Sequence, residues 1–239
     1  GCLIARFLVI DHLDFSAAPE EFAPVIALLI VVLTMLFSAI SFGCCIMYAV
    51  RFYKNLFTDE GYITWTLPAS PLTQLWAKIL SASIWYVLDL TICFAAAWFL
   101  ISGDNIQSAL ERIKPDFQAA LGMSFSSFCG LVVFFSFVGI LSCVLFIYTS
   151  IAIGQLVPAH RIIVSIAVYF ILNLITQIIS IGVSIITSVF PDYVFSPAQT
   201  SFSEYFFQML LIGTCTTTVL AIAGYFITYR ILQRKVNLI

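Results

Sequence analysis

The chain has 239 residues, 62% of them hydrophobic and 9% charged, with a formal net charge of −2 and a mean hydropathy of +1.09. Soluble domains carry about 25% charged residues. With so few here, too little water-facing surface remains to keep a large core in solution, and the composition excludes a soluble globular protein.

The first ten residues, GCLIARFLVI, are apolar and begin at Gly1 rather than Met. Two accounts are expected to cover this start. In the favoured one, residues 1–10 are the stump of an earlier helix; in the other, a signal peptide has been cleaved. Residues 11–21 form an acidic outer loop ending Pro19-Glu20-Glu21, a helix-start signal. Five apolar stretches then follow, each at or above the roughly 20 residues that a membrane-crossing helix needs. They run over about Phe22–Val50, Ile79–Ile101, Phe125–Ile153, Ile162–Phe190 and Phe206–Thr228. A barrel would need alternating strands of about ten residues. These uninterrupted Leu, Ile, Val and Phe runs do not alternate. The expected fold is an all-α integral membrane protein, a single transmembrane domain over 1–239 with five full spans.

Between the spans lie a polar segment over 51–78, outer loops over 11–21, 102–124 and 191–205, and an inner turn over 154–161 broken by Pro158. The outer loop after the fourth span carries Pro191, Pro197, Tyr193 and Phe195, as interfacial aromatic loops do. Arg51 to Lys54 are helix-compatible, so the first helix is expected to continue past the membrane. Lys and Arg near span ends set orientation. Arg51, Lys54, Lys78, Arg161, Arg230, Arg234 and Lys235 fall on one side, against Arg6, Arg112 and Lys114 on the other. Asp11, Asp14, Glu20, Glu21, Asp104, Glu111, Asp116, Asp192 and Glu204 accompany those three. The seven-basic side is assigned to the cytoplasm of a plasma membrane, with the C-terminus inside.

Chemistry inside the membrane is sparse. Cys44, Cys45, Cys93, Cys129, Cys143 and Cys215 fall in the spans with no C-x-x-C spacing, which reads as small apolar packing rather than a disulfide framework. His12 and His160 lie on opposite faces, so no metal is expected. No histidine lies within a span to serve a nucleophile, and no H-E-x-x-H occurs. Asp89 has no second acid beside it. Intramembrane catalysis is therefore not expected.

Asp89 is the one ionisable acid within a span, about 15 Å from the basic end at about 1.5 Å per residue. No span offers Lys or Arg to pair with it. It is protonated, hydrated, or hydrogen-bonded to groups such as Asn173 and Gln177, which share one face of the fourth span at i, i+4. These three residues line a translocation path on one reading. On the other, Asp89 makes a plain interhelical hydrogen bond, worth about 0.6 kcal/mol on average.

The 51–78 segment reads RFYKNLFTDEGYITWTLPASPLTQLWAK. A glycine follows two acids at Asp59-Glu60-Gly61. Tyr62–Leu67 is apolar and aromatic but too short to span. Leu67-Pro68-Ala69-Ser70-Pro71 is a rigid turn, after which Ser70 caps and Pro71 opens a helix leading into the second span. A short interfacial element between two sharp turns suits a lever for a partner protein; the plain alternative is a loop lying on lipid.

At these residues the chain resembles the membrane permease subunits of ABC exporters of the type-two class, especially small Gram-positive ones. That family joins its second and third helices by acid-Gly, Thr or Tyr, Leu-Pro, Ser and a Lys before the next span. Here these are Glu60-Gly61, Tyr62, Thr66-Leu67-Pro68, Ser70 and Lys78. Phe52 to Gly61 looks close to the small Gram-positive members, and Lys235-Val236-Asn237-Leu238 looks like their usual ending. Pro71 departs from the basic residue that many members carry after the serine, so no ionic contact is implied there.

The resemblance implies six helices, hence a missing first one. It implies that Thr58, Asp59, Glu60, Gly61, Tyr62, Leu67, Pro68, Ser70 and Lys78 form a coupling segment docked on a separate ABC ATPase, with turn 154–161 as a minor second contact. A second permease subunit, identical or not, completes the transporter. No G-x-x-x-x-G-K phosphate loop occurs here, so ATP and Mg belong to the partner and this chain is expected to be no enzyme and to hold no cofactor. The expected substrate is amphipathic or apolar, such as an antimicrobial peptide or a drug-like molecule. No nucleic-acid partner is expected. A passive channel, or a non-transporting scaffold or immunity protein, stays open as the alternative.

Overall fold

A polar backbone in an apolar medium satisfies its hydrogen bonds within its own segment, which favours long helices. The computed structural model describes residues 19–58, 61, 66, 68, 70–101, 111, 114, 115, 118, 119, 121–195 and 202–234; the side chains of 19–27, 29, 30, 100, 101, 192, 195 and 234 lie outside that description. Every described element is an α-helix. Helix α1 covers Pro19–Phe57, α2 Pro71–Ile101, α3 Phe125–Gly154, α4 Arg161–Ile186, α5 Val189–Phe195 and α6 Phe202–Arg234. All except α5 are long and apolar enough to cross a membrane, so the chain is an all-α polytopic membrane protein with five such helices among the described residues. The expected stump at residues 1–10 lies outside the described residues.

The helices outrun the spans. At 39 residues, α1 extends through Arg51 and Lys54 to Phe57, as its amphipathic end leads one to expect. There Thr58 Oγ1 donates to the Lys54 carbonyl at 2.6 Å, and Gly61 N donates to the Thr58 carbonyl at 2.7 Å. Helix α2 starts at Pro71 and runs without a break into the membrane. The Ser70 hydroxyl accepts from Thr73 N at 3.2 Å and meets the Thr73 hydroxyl at 2.9 Å, the expected N-cap. Ser124 repeats this at α3, accepting from Ser127 N at 3.2 Å.

Two spans differ from the sequence expectation: α6 runs past the expected Phe206–Thr228 at both ends, and α4 falls short. The fourth span is expected to reach Phe190, yet α4 stops at Ile186. Ser188 adopts φ 61, a left-handed conformation that ends a right-handed helix. The chain restarts as α5, whose third residue is Pro191, within the first turn where a missing N–H costs no helix bond. The aromatic outer loop thus opens as a seven-residue helix that packs against both α4 and α6, with Tyr193 stacked on Tyr205 at 4.0 Å.

The chain divides into two compact units, one over 1–44 and 86–129, the other over 45–85 and 130–239. The second holds most of the buried side chains. Tyr48, Phe52 and Leu56 recur every fourth residue on α1, facing a core shared with Leu75 and Ile79 of α2, Val144, Tyr148 and Ala152 of α3, and Ala221 and Leu232 of α6. By contrast Ile162, Ile166, Phe170, Leu174 and Ile178 form an exposed apolar stripe along α4, as a lipid-facing surface requires. Hydroxyls inside the helices turn back on their own backbone: Ser150, Thr176, Thr214, Thr216, Thr217 and Thr218 each donate to the carbonyl four residues earlier.

Two glycines permit close approach. A Cβ at Gly154 would collide with the Ser165 side chain and stand 2.8 Å from the Arg161 carbonyl, so Gly154 lets the α3–α4 turn fold tightly. At Gly224 it would stand 2.6 Å from Thr149 Oγ1, where α3 and α6 meet. Thr149 is fully buried and its hydroxyl accepts from Thr228 at 3.2 Å, leaving it little room to move. Gly224→Leu is expected to lower stability by about 1–3 kcal/mol, as overpacking does. Gly213→Ala, whose Cβ would meet only Ser180 Oγ at 4.0 Å, is expected to be neutral. Thermal unfolding of both variants in detergent checks the contrast.

Candidate functional site

The segment between α1 and α2 is defined by how its ends are held. Phe52, in the last turns of α1, stacks on Tyr148 of α3 with centroids 3.8 Å apart and planes 11° from parallel. Phe57 meets the edge of Phe52 at 6.0 Å. At the other end the Tyr148 hydroxyl donates to the Lys78 carbonyl of α2 at 3.0 Å. One tyrosine on α3 therefore grips both helices that flank the segment. Trp76 adds a contact from α2 to Tyr225 of α6 at 5.7 Å.

Why these residues serve is a matter of chemistry. A phenol offers a flat apolar face for stacking and a donor at its rim. The Lys78 carbonyl sits in the third turn of α2 and accepts that donor, while the side chain of Lys78 is half-buried. Phe52 and Tyr148 are almost wholly buried, at 1% and 3% exposure, so the stack excludes water.

Of the residues expected to form the coupling segment, Asp59, Glu60, Tyr62 and Leu67 lie outside the described residues. Thr58 closes the end of α1 through its bond to Lys54, and Gly61 is buried against that turn. Pro68 and Ser70 are exposed. The inner turn at 154–161 presents Leu156, Val157, Pro158, Ala159 and His160 outward. Beneath it Arg161 Nη1 donates to Gln155 Oε1 at 3.4 Å, and Gln155 is 9% exposed.

Asp89 lies in the first unit and Asn173 and Gln177 in the second. Asn173 Nδ2 donates to the Tyr169 carbonyl of its own helix at 2.8 Å, and Gln177 is exposed. Asp89 Oδ2 accepts from the Ser41 hydroxyl of α1 at 3.2 Å. A carboxylate at the bilayer centre costs at least ~2.5 kcal/mol, which a single hydroxyl does not offset. Among the described residues no three His, Cys, Asp or Glu side chains come together as a metal site, and the six described cysteines are thiols.

Sequence reasoning missed Phe52, Tyr148 and Ser41. Tyr148 carries a faint signal as a phenol near the basic end of an otherwise aliphatic run, and Phe52 as an aromatic in the amphipathic end of α1. Ser41 carries none. Compared with protein-family models, with curated proteins and with solved structures, the chain matches none of the three.

Tyr148→Phe keeps the stack and removes the hydrogen bond, and is expected to lose about 0.6 kcal/mol, the average for such bonds in membranes. Tyr148→Ala removes both and is expected to lose about 3 kcal/mol or more. The difference in unfolding temperature between the two variants in detergent measures what the stack contributes.

Proposed function

We propose that the chain is the membrane-spanning permease subunit of an ATP-driven exporter of the type-two ABC class, coupling a separate ATPase to the export of an amphipathic or apolar substrate. The observation that carries this reading is the double grip of Tyr148. A segment whose ends are both tied to one buried side chain is displaced as a body when its middle is pushed. A loop resting on lipid has no need of such anchoring.

The bias of Arg51, Lys54, Lys78 and Arg161 toward this end supports a cytoplasmic location for it, and with it a cytoplasmic C-terminus in the plasma membrane. The mechanism then runs from the segment inward. Closure of two ATPases presses on residues about 56–76 of each permease in a dimer, and α1, α2 and α3 respond together through Phe52, Tyr148 and Lys78. The ATPase must bind one conformation of the permease more tightly than the other, since only differential binding transmits work. ATP and Mg stay on the partner.

Affinity purification of the full chain in detergent, followed by identification of co-purifying proteins and an ATPase assay, tests the proposal. A stoichiometric nucleotide-binding subunit is expected. Substitution of Glu60 to Ala, or of Gly61 to Val, is expected to lower transport at least tenfold while the protein stays folded and ATP hydrolysis persists. Purification without any ATPase would instead favour a channel or scaffold, and unaltered export by these variants would remove the coupling role of the segment.

A further inference from the structure

The exporter reading leaves Asp89 unexplained. It lies within α2 ten residues beyond Ile79, and Ser41, which bonds it, lies ten residues before Arg51 on α1. Counting about 1.5 Å per residue from Arg51 and from Ile79 gives about 15 Å in both cases, half of a hydrocarbon core of about 30 Å. Two independent helix counts thus bring the pair to the bilayer centre. No span contains Lys, Arg or His. A carboxylate has about four lone-pair sites, and Ser41 fills one. Asp89 is half-buried, so the rest of its acceptor capacity is not sealed inside the protein.

One turn along α1 from Ser41 lies an open depression of about 410 Å³, lined by Val31, Thr34, Met35 and Ser38 of α1. Thr34 and Ser41 are seven residues apart and Ser38 lies between them, so the cavity and the carboxylate's partner occupy successive turns of one helix face. The lining is mostly apolar, and Val31 and Met35 are more than half exposed, open to the region that lipid occupies. An apolar recess one turn from an acid that no basic residue of the spans accompanies fits a ligand with a greasy body and a positive charge.

We infer that Asp89 and the Val31–Ser38 face of α1 bind a lipophilic cation, the charge meeting Asp89 and the apolar body filling the cavity. This names the substrate class of the proposed exporter and rests on that reading only for its meaning in transport. A cation offsets a carboxylate at that depth, whereas a neutral or anionic ligand of the same shape does not.

Tetraphenylphosphonium and tetraphenylborate share a shape and differ in the sign of charge. Equilibrium binding of each to the purified full chain in lipid nanodiscs, without any ATPase, is the test. The phosphonium is expected to bind at least tenfold tighter than the borate. Asp89→Asn, which preserves shape and the acceptor for Ser41, is expected to weaken phosphonium binding at least tenfold, Asp89→Glu to keep it, and Ser38→Phe to weaken it by filling the cavity. Equal binding of the two ions, no phosphonium binding, or unchanged binding by Asp89→Asn overturns the inference. The two proposals fail separately: an ATPase partner with no cation binding sinks this one alone, and cation binding with no ATPase partner sinks the exporter alone.

Discussion

Hydrocarbon offers the backbone no partner, and that constraint organises nearly everything else in this chain. It makes helices the only described elements and turns interior Ser and Thr hydroxyls onto their own carbonyls. It also concentrates special chemistry at helix ends, where the first N–H groups have no intrahelical partner. Ser70 and Ser124 meet this need with side-chain oxygens. The end of α1 meets the converse need with Thr58 and Gly61.

Once each helix satisfies itself, what remains to be decided is which helices touch. Lipid tails are as apolar as leucine, so hydrophobicity alone gives two helices little reason to associate, and packing and hydrogen bonding take over. The second unit uses both. Gly224 brings α6 against Thr149 of α3, where two hydroxyls bond, and Tyr148 one residue earlier stacks on Phe52 and reaches the Lys78 carbonyl. Neighbouring residues of α3 thereby hold α1, α2 and α6. In the proposed coupling, α3 is the helix that links the two flanking helices, through Phe52 and Lys78.

Asp89 obeys a different logic. Most polar groups in the spans are cheap because their own helix answers them, as Asn173 is answered by Tyr169. A carboxylate accepts and does not donate when ionised, so its helix has nothing to give it. Its bond comes from another helix, and the apolar spans hold no Lys, Arg or His to accompany it. That imbalance is why it stands out from Asn173 and Gln177, with which composition alone would group it.

Hydropathy and length decided the class, the number of spanning helices and most of their bounds, because a span is a local property: a run of apolar residues long enough for the bilayer. Local chemistry also decided the Ser70 cap and the Pro71 start, since a cap needs only neighbours three residues away. The break at Ser188 escaped, because a left-handed serine carries no sequence mark as glycine does, and the short helix beyond it escaped with it. Asp59 and Glu60 were legible as a motif, while their geometry lies outside the described residues. Only the tertiary structure decided that Tyr148 grips Phe52 and Lys78, and that Ser41 meets Asp89. The two partners of each such contact lie 48 to 96 residues apart in the chain, and no periodicity links positions on different helices until the helices pack.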